Sequence, residues 1–138
     1  MENVDNLQAI FGQVISSYTR AQAIADGALI DVTAQASETG FKVPVALTAA
    51  AWAEVVAWSG EDSARETHQD ERGRLHDLLW VAFNFARHHK AGSRMPFKHY
   101  RVARGGNGTR RTPITLVMVI GPGDNAEPVV TFMLPSDE

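Results

Sequence analysis

The stretch between Asp70 and His88 constrains the fold most, because its apolar residues recur at the spacing of a helix. Six of them follow the i, i+3, i+4, i+7 pattern of a helix that buries one face: Leu75, Leu78, Leu79, Ala82, Phe83 and Ala86. Trp80, Val81 and Phe85 widen this apolar stripe, so we expect the helix to be covered on more than one side. The pattern predicts one long central helix over residues 70–88.

Extended patterns follow this helix. The pattern after Pro96 is extended, and the apolar runs Ile114–Ile120 and Val129–Leu134 come next. On the extended segment, one face is expected to carry Phe97, His99, Arg101 and Ala103, and the other Lys98, Tyr100, Val102 and Arg104. Two glycine-rich segments, Gly105–Gly108 and residues 121–127, separate these runs and have the composition of turns. This order predicts a C-terminal antiparallel three-stranded meander that packs against the long helix.

The N-terminal half is predicted to contain shorter elements. Strands are expected at Phe11–Tyr18, Leu29–Val32 and Val43–Leu47, helices at Arg20–Asp26, Ala34–Thr39 and Ala49–Trp58, and a solvated loop at Ser59–Glu66. Residues 1–10 are predicted to be a short helix or a mobile segment. The three tryptophans are expected in the core, with Trp58 as the most exposed of them. The whole chain is predicted to be a single α+β domain over residues 1–138.

The composition excludes several functional classes. The chain has no cysteine, which excludes disulfides, thiolate metal sites and a cysteine nucleophile. No HxxxH or HExxH pattern occurs among the five histidines, so no metal site and no cofactor are predicted. No apolar run approaches the ~18 residues of a membrane-spanning helix, and no secretory leader is recognised. A cytoplasmic protein without a membrane partner is therefore expected.

Charge is distributed very unevenly along the chain. The segment Arg87–Arg111 holds eight of the 13 Lys and Arg residues and no acid, and the acid-free window extends from Leu78 to Gly123. Residues 1–86 carry five basic and twelve acidic side chains, and residues 112–138 carry four acids and no base. A net charge of −3 thus conceals a polarised molecule. Such polarity indicates either an anionic partner or an internal acidic face.

Within the basic segment, the residues at the helix end already have a structural reason to be basic, since cations stabilise a helix C-terminus. The remaining ones on the predicted strand and turn are candidate binding residues for phosphates or for an acidic protein surface: Lys98, Arg101, Arg104, Arg110 and Arg111. The alternative is a solvated strand whose charge offsets the acidic half of the same molecule. A pI of 5.9 is lower than that of a dedicated nucleic-acid binder.

A metal-free ribonuclease is the sharpest enzymatic hypothesis. RNA cleavage of this kind needs a general base, a cation that binds the phosphate and an acid for the leaving group. Lys98, His99, Arg101 and Arg104 lie on one predicted strand, and Thr131 on a neighbouring strand could reach the same surface. In its order of helices followed by a meander, and in its closing VVTF sequence, the chain resembles the RelE and barnase-like ribonuclease toxins.

Four segments together resemble a family of small uncharacterised proteins, a domain of unknown function encoded on bacterial plasmids and phages. These segments are Phe11–Thr33, Phe41–Trp52, Gln69–Trp80 and Ile120–Glu138. The resemblance covers most of the chain and is weakest over Arg87–Arg111. It implies an accessory protein of a mobile element, and no catalytic residues come with it.

The leading hypothesis is therefore a non-enzymatic interaction protein of a phage or plasmid. Its expected partner is a host protein or ribonucleoprotein complex, and inhibition of a nucleic-acid-targeting defence complex, as by an anti-CRISPR protein, is one such role. A ribonuclease and a nucleic-acid-binding accessory protein remain the alternatives. The sequence leaves the oligomeric state open, as well as the question of whether the N-terminal strands join the C-terminal sheet.

Overall fold

The computed structural model describes residues 18–89, 92–106 and 108–138. This part of the chain contains the helices α1 (Arg20–Ala25), α2 (Thr33–Thr39), α3 (Ala49–Val55), α4 (Gly60–Arg65) and α5 (Glu71–His88). The strands are β1 (Leu29–Asp31), β2 (Val45–Thr48), β3 (Arg94–Val102), β4 (Arg111–Pro122) and β5 (Pro128–Met133). A 3₁₀ turn, Pro135–Asp137, follows. The predicted α+β class is confirmed.

The five strands form one mixed sheet in the order β1-β2-β5-β4-β3. The predicted C-terminal meander is present, since β3 pairs with β4 and β4 with β5, both antiparallel. β2 joins this meander through a parallel pairing with β5, in which Val45 lies opposite Val130. β1 pairs antiparallel with β2 at the other edge. The two N-terminal strands therefore join the C-terminal sheet. The sequence alone had not decided this question.

The long helix α5 begins and ends close to its predicted bounds because its termini are capped. Asp70 Oδ1 accepts a hydrogen bond from the backbone N–H of Gly73 at 2.7 Å, which satisfies a donor of the first turn. At the other end, the imidazole Nδ1 atoms of His88 and His89 lie 2.8 Å from the carbonyl oxygens of Asn84 and Phe85. As donors, they add hydrogen bonds to carbonyl oxygens near the helix C-terminus. These two histidines thus have the structural role expected of the helix end.

The main core lies between α5 and one face of the sheet. Leu75, Leu78, Leu79 and Ala82 of α5 are buried there. They meet side chains from the three central strands: Val45, Leu47, Leu116, Met118, Val130 and Phe132. Complete burial of a leucine or phenylalanine side chain contributes roughly 1.5–3 kcal/mol. This packing fixes α5 across the sheet and brings its first turns close to the end of β3.

The opposite face of the sheet also contains buried residues, among them Ala46, Val117 and Val129. Thr131 lies on this face as well, since its neighbours in β5, Val130 and Phe132, point into the main core. Arg20 of α1 reaches it there. The guanidinium Nη1 of Arg20 donates to Thr131 Oγ1 at 2.8 Å, and Nη2 donates to the Val130 carbonyl at 2.9 Å.

Two local predictions in the N-terminal half are wrong. The helix predicted over Ala49–Trp58 ends at Val55. The loop predicted at Ser59–Glu66 contains the helix α4, because Ser59 and Asp62 cap its start reciprocally. This short polar helix has almost no apolar periodicity, so the hydrophobic pattern could not reveal it.

The tryptophans and the flanks of α5 differ from expectation too. Trp58 is buried, and its indole Nε1 donates to Ser63 Oγ at 3.0 Å, whereas Trp80 is 53% exposed. Val81 is also exposed, so the expectation that α5 is covered on more than one side is wrong for this flank. The predictions for residues 1–10 and almost all of Phe11–Tyr18 lie outside the described residues.

Gly40 gives a test of the packing between α2 and α5. It ends α2 with a φ of 133°, and a Cβ atom there would lie 2.7 Å from Cζ of Phe83. Gly27, with a φ of 81°, has no atom within 4 Å of such a Cβ. We expect Gly27→Ala to lower the free energy of unfolding by about 1 kcal/mol through backbone strain alone. Gly40→Ala should cost about 2 kcal/mol or more, because the Phe83 ring must also move.

Urea denaturation of the two variants and the wild type measures this difference. Equal losses for the two variants would contradict the close packing of Phe83 against Gly40.

Candidate functional site

The five basic residues predicted to bind a partner lie on β3, on β4 and in the turn between them. We call this set the basic hairpin; it comprises Lys98, Arg101, Arg104, Arg110 and Arg111. Three of its members contact a carboxylate of the acidic N-terminal half. The pairs are Arg101–Glu54 at 3.1 Å, Arg104–Asp62 at 2.7 Å and Arg111–Asp77 at 3.4 Å. Part of the positive charge thus offsets the acidic half of the same molecule, as one of the two interpretations of the sequence held.

The members of the basic hairpin differ in their access to solvent. The Arg101 side chain is 12% exposed and also donates to the carbonyl oxygens of Glu54 and Thr112, so its guanidinium is occupied within the protein. Arg104 and Arg111 keep 44% and 63% of their side-chain surface exposed. The remaining two, Lys98 and Arg110, are exposed and make no salt bridge to any residue that the structure describes.

Asp62 lies beneath the hairpin turn and is buried, although the sequence placed it in a solvated acidic segment. Its carboxylate accepts hydrogen bonds from the backbone N–H and hydroxyl of Ser59 and from the guanidinium groups of Arg65 and Arg104. Burial alone would raise the pKa of this carboxyl, but the hydrogen bonds from Ser59 and Arg104 hold the pKa below its ordinary value. Asp62 therefore stays ionised and ties α4 to the hairpin.

Arg74 of α5 is the most unusual residue of the region, because it is a buried cation, 3% exposed. Its Nε donates to the Val56 carbonyl at 3.0 Å and its Nη1 to the Val102 carbonyl at 2.9 Å. The guanidinium also stacks 4.6 Å from the ring centre of Trp58. Burial and the nearby Arg101 lower the pKa of Arg74. No residue within 18–89, 92–106 and 108–138 forms a salt bridge with Arg74.

His99 of β3 is 2% exposed and lies near Arg74. Burial lowers its pKa to about 4, and the charges of Arg101, Arg111 and Arg74 act in the same direction, while Asp77 opposes them. The imidazole is therefore neutral at pH 7. A buried ring of this kind does not present a base to a macromolecular substrate.

The five residues of the ribonuclease hypothesis do not come together in one cleft. Lys98 lies on the face of β3 that is turned away from α5, whereas His99 lies on the buried face. Thr131 lies on β5, separated from β3 by β4, on the sheet face opposite to His99, and it accepts a hydrogen bond from Arg20. The single catalytic surface required by that hypothesis is absent from this arrangement.

A recess lies between the start of α5 and the hairpin. We call it the basin; its volume is about 450 Å³. Three parts of the chain line it: the segment before α5 (Thr67, His68, Gln69), the first turns of α5 (Asp70, Gly73, Arg74, His76, Asp77) and the hairpin (Val102, Thr109, Arg111). A much smaller cavity of about 10 Å³ adjoins it and shares Gln69, Arg74, Asp77, Val102 and Arg111 with it.

Sequence reasoning missed Asp62, Gln69 and Arg74 as members of this region. Arg74 could have been noticed, since it stands four residues before Leu78 on the apolar stripe of α5, where a charge requires a specific partner. Asp62 follows Ser59 at the spacing of a capping box. Gln69 has no comparable pattern in the sequence.

Metal sites and membrane-spanning helices are both absent from the described ranges. No group of three or more His, Asp and Glu side chains there is arranged to hold a metal ion. No helix in those ranges combines the length and apolar character needed to cross a bilayer.

The fold and the site define a mixed α+β protein with a charge-paired hairpin and a buried arginine next to a recess. The chain belongs to the family of unknown function DUF6573, whose sequence model matches residues 6–138. The resemblance to an uncharacterised family is thereby confirmed. No curated protein and no solved structure matches the chain.

The depressed pKa of His99 predicts a pH-dependent stability. Between its ordinary pKa of 6.5 and about 4, the unfolded chain binds a proton at His99 and the folded protein does not. The contribution of the neutral His99 to the free energy of unfolding is therefore fully present above pH 6.5 and is lost as the pH falls toward 4. By linkage this loss is about 3 kcal/mol over the whole window.

Urea denaturation at pH 7 and pH 4.5 tests this for the wild type, His99→Gln and the control His76→Gln, which changes an exposed histidine. His99→Gln should lose stability less steeply with acidification than the other two. An unchanged pH dependence in His99→Gln would show that His99 is protonated alike in both states.

Proposed function

We propose that this protein is a non-enzymatic interaction protein that binds an acidic surface of a partner through the exposed part of the basic hairpin. The observation that carries the proposal is the position of four accessible cations on one exposed hairpin, above a histidine that is buried. These cations are Lys98, Arg104, Arg110 and Arg111. A distributed cationic surface suits the recognition of a charged partner.

The outer face of β3 adds an aromatic contact to these charges. Tyr100 is 54% exposed and lies two residues from Lys98 on the same face of the edge strand. Tyrosine and arginine are enriched at protein interfaces because they combine a large contact area with hydrogen bonding. Opposite these two residues on β4, Thr115 and Pro113 are exposed as well. This surface is therefore large enough to include contacts beyond the charges.

The internal salt bridges leave the cations available to a partner. An exposed ion pair contributes only about 0–1 kcal/mol, so Arg111 can exchange Asp77 for an external carboxylate at little cost. Arg104 keeps its bond to the buried Asp62 and offers a partner the 44% of its side-chain surface that is exposed. Arg101 is excluded from this role, since it is the least exposed of the five and its hydrogen bonds are internal. The binding surface proposed here thus keeps four of the five residues that the sequence predicted.

The acidic remainder of the molecule favours a protein or ribonucleoprotein over free nucleic acid as the partner. A net charge of −3 opposes the long-range attraction that steers a protein to a polyanion. A partner with a local acidic patch avoids this repulsion. Specificity would then arise from the match of local surfaces.

We further propose that the chain is an accessory protein of a phage or plasmid that acts in the cytoplasm. Its partner would be a host complex that targets nucleic acid, and its effect would be inhibition, as for an anti-CRISPR protein. The small size and the polarised charge support this extension.

Recovery of a partner from a lysate of the bacterial host tests the proposed surface. Wild-type protein should retain a partner at low salt, and the complex should weaken as salt screens the charges. The double variant Lys98→Glu/Arg110→Glu should lose that partner. The control Lys42→Glu/Arg72→Glu makes the same charge change at exposed positions outside the hairpin and should retain it. Equal recovery by both double variants, or no partner at low salt, would count against the proposal.

RNA provides a separate test of the enzymatic alternative. Purified protein should leave RNA intact, because His99 is buried and Thr131 faces away from it. Incubation with a labelled RNA, resolved on a gel, measures this directly. Cleavage that disappears in His99→Gln while the variant remains folded would overturn the non-enzymatic proposal.

A further inference from the structure

The guanidinium of Arg74 has hydrogen-bonding capacity that the surrounding protein does not use. Its Nε and Nη1 donate to Val56, Val102 and Gln69, but its Nη2 is buried without an acceptor among the described residues. A buried cation ordinarily needs a counter-charge as well as hydrogen bonds. Arg74 has neither a carboxylate partner in the described chain nor a full set of acceptors.

Three further polar atoms share this condition. Glu66 Oε2, Gln69 Nε2 and His99 Nδ1 are buried and make no hydrogen bond to a described residue. Arg74, Gln69 and His99 line the small cavity of about 10 Å³, whereas Glu66 does not. Arg74 Nη2 and Gln69 Nε2 are donors only, so they require an acceptor atom. A space of this size is suited to a single oxygen atom.

The basin gives access to this position. Five residues line both spaces, among them Gln69, Arg74 and Arg111, so the small cavity adjoins the larger recess of about 450 Å³. One oxygen of a larger anion could therefore occupy the small cavity while the rest of the anion lies in the basin. Thr109 and Arg111 of the hairpin supply further donors at the wall of the basin.

The charges around the small cavity favour an anion. Arg74, Arg101 and Arg111 line it, and Asp77 is the one carboxylate among its lining residues. Asp77 is already paired with Arg111. Arg74 itself makes no salt bridge to a described carboxylate, although the charges of Asp62 and Glu66 act on it.

We propose that the basin is a binding site for an oxyanion, a phosphate or a carboxylate, one oxygen of which accepts hydrogen bonds from Arg74 Nη2 and Gln69 Nε2. The site shares Arg111 with the proposed partner surface, but its two central donors, Arg74 and Gln69, lie outside that surface. Phosphate and carboxylate are both recognised by guanidinium groups, because each presents negatively charged oxygens that accept N–H hydrogen bonds.

The test titrates the purified full chain with inorganic phosphate and, separately, with acetate, each at an ionic strength held constant with sodium chloride. Calorimetry gives the affinity, and the NMR resonance of the Arg74 Nε–H group shows whether the anion reaches the guanidinium. Saturable binding with a shift of this resonance is expected for at least one of the two anions. A response to phosphate alone identifies a phosphate site, and a comparable response to acetate identifies a carboxylate site.

Two variants at one position make the test specific. Gln69→Leu removes the Nε2 donor and should weaken binding about tenfold or more, since hydrogen bonds to charged groups are the strong ones. Gln69→Glu places a carboxylate beside Arg74. This carboxylate should abolish binding, because it pairs with the guanidinium and repels the anion. The variant Lys98→Glu/Arg110→Glu should still bind the anion saturably and shift the Arg74 Nε–H resonance, even where it loses the protein partner.

The inference is overturned if the folded wild type gives no saturable response to either anion, which would mean that the small cavity serves a water molecule only. It is also overturned if Gln69→Leu, shown to be folded by circular dichroism, binds as tightly as the wild type.

Discussion

The buried guanidinium of Arg74 connects several parts of the chain that are distant in sequence. It binds the carbonyl at the end of α3, the carbonyl at the end of β3 and the side chain of Gln69, and it stacks on Trp58. Each of these carbonyls lies at or next to the end of a regular element. The short elements α3 and α4 are thereby held against the sheet, although their own apolar surface is small. Two other residues of the basin wall, Gln69 and Val102, are hydrogen-bonded to this side chain.

Charge separation along the sequence becomes charge pairing in space. The acidic N-terminal half supplies Glu54, Asp62 and Asp77, and the basic hairpin supplies a partner for each. The pairs differ in kind. Asp62 is buried and receives several hydrogen bonds, so it fixes the hairpin turn, whereas the exposed Asp77 pair is easily exchanged. A structural role and a binding role are therefore compatible within one set of residues, and they are divided by exposure.

The sequence predicted those parts of the fold that depend on periodicity. The stripe from Leu75 to Ala86 predicted α5, and the extended pattern after Pro96 correctly separated Phe97 and His99 from Lys98 and Tyr100. Val102, which was grouped with Lys98, is buried. It could not say that Trp80 would be exposed, because a wide apolar stripe does not reveal how much of it finds a partner. The helix α4 was missed because hydrogen bonds at its cap, and not apolar spacing, define it.

The candidate site was predictable only in part, for a related reason. The cluster of cations was evident, yet their acidic partners lie far away in sequence: Asp62 precedes Arg104 by 42 positions. Which acid meets which base depends on how α4, α5 and the hairpin pack, and spacing along the chain does not encode this. The unused donors of Arg74 and Gln69 likewise exist only once the surrounding carbonyls are in place.

The position of β5 has a consequence for the order of assembly. This strand lies between β2 and β4, and its parallel pairing joins residues as distant as Val45 and Val130. Without β5, the pairings β1–β2 and β3–β4 are two separate ribbons, each with an open edge. Pairings across such distances slow folding, because the entropy of closing a long loop is lost before the contacts that stabilise it can form. The inner edge of β2 therefore stays without a strand partner until β5, the last strand of the described chain, pairs with it.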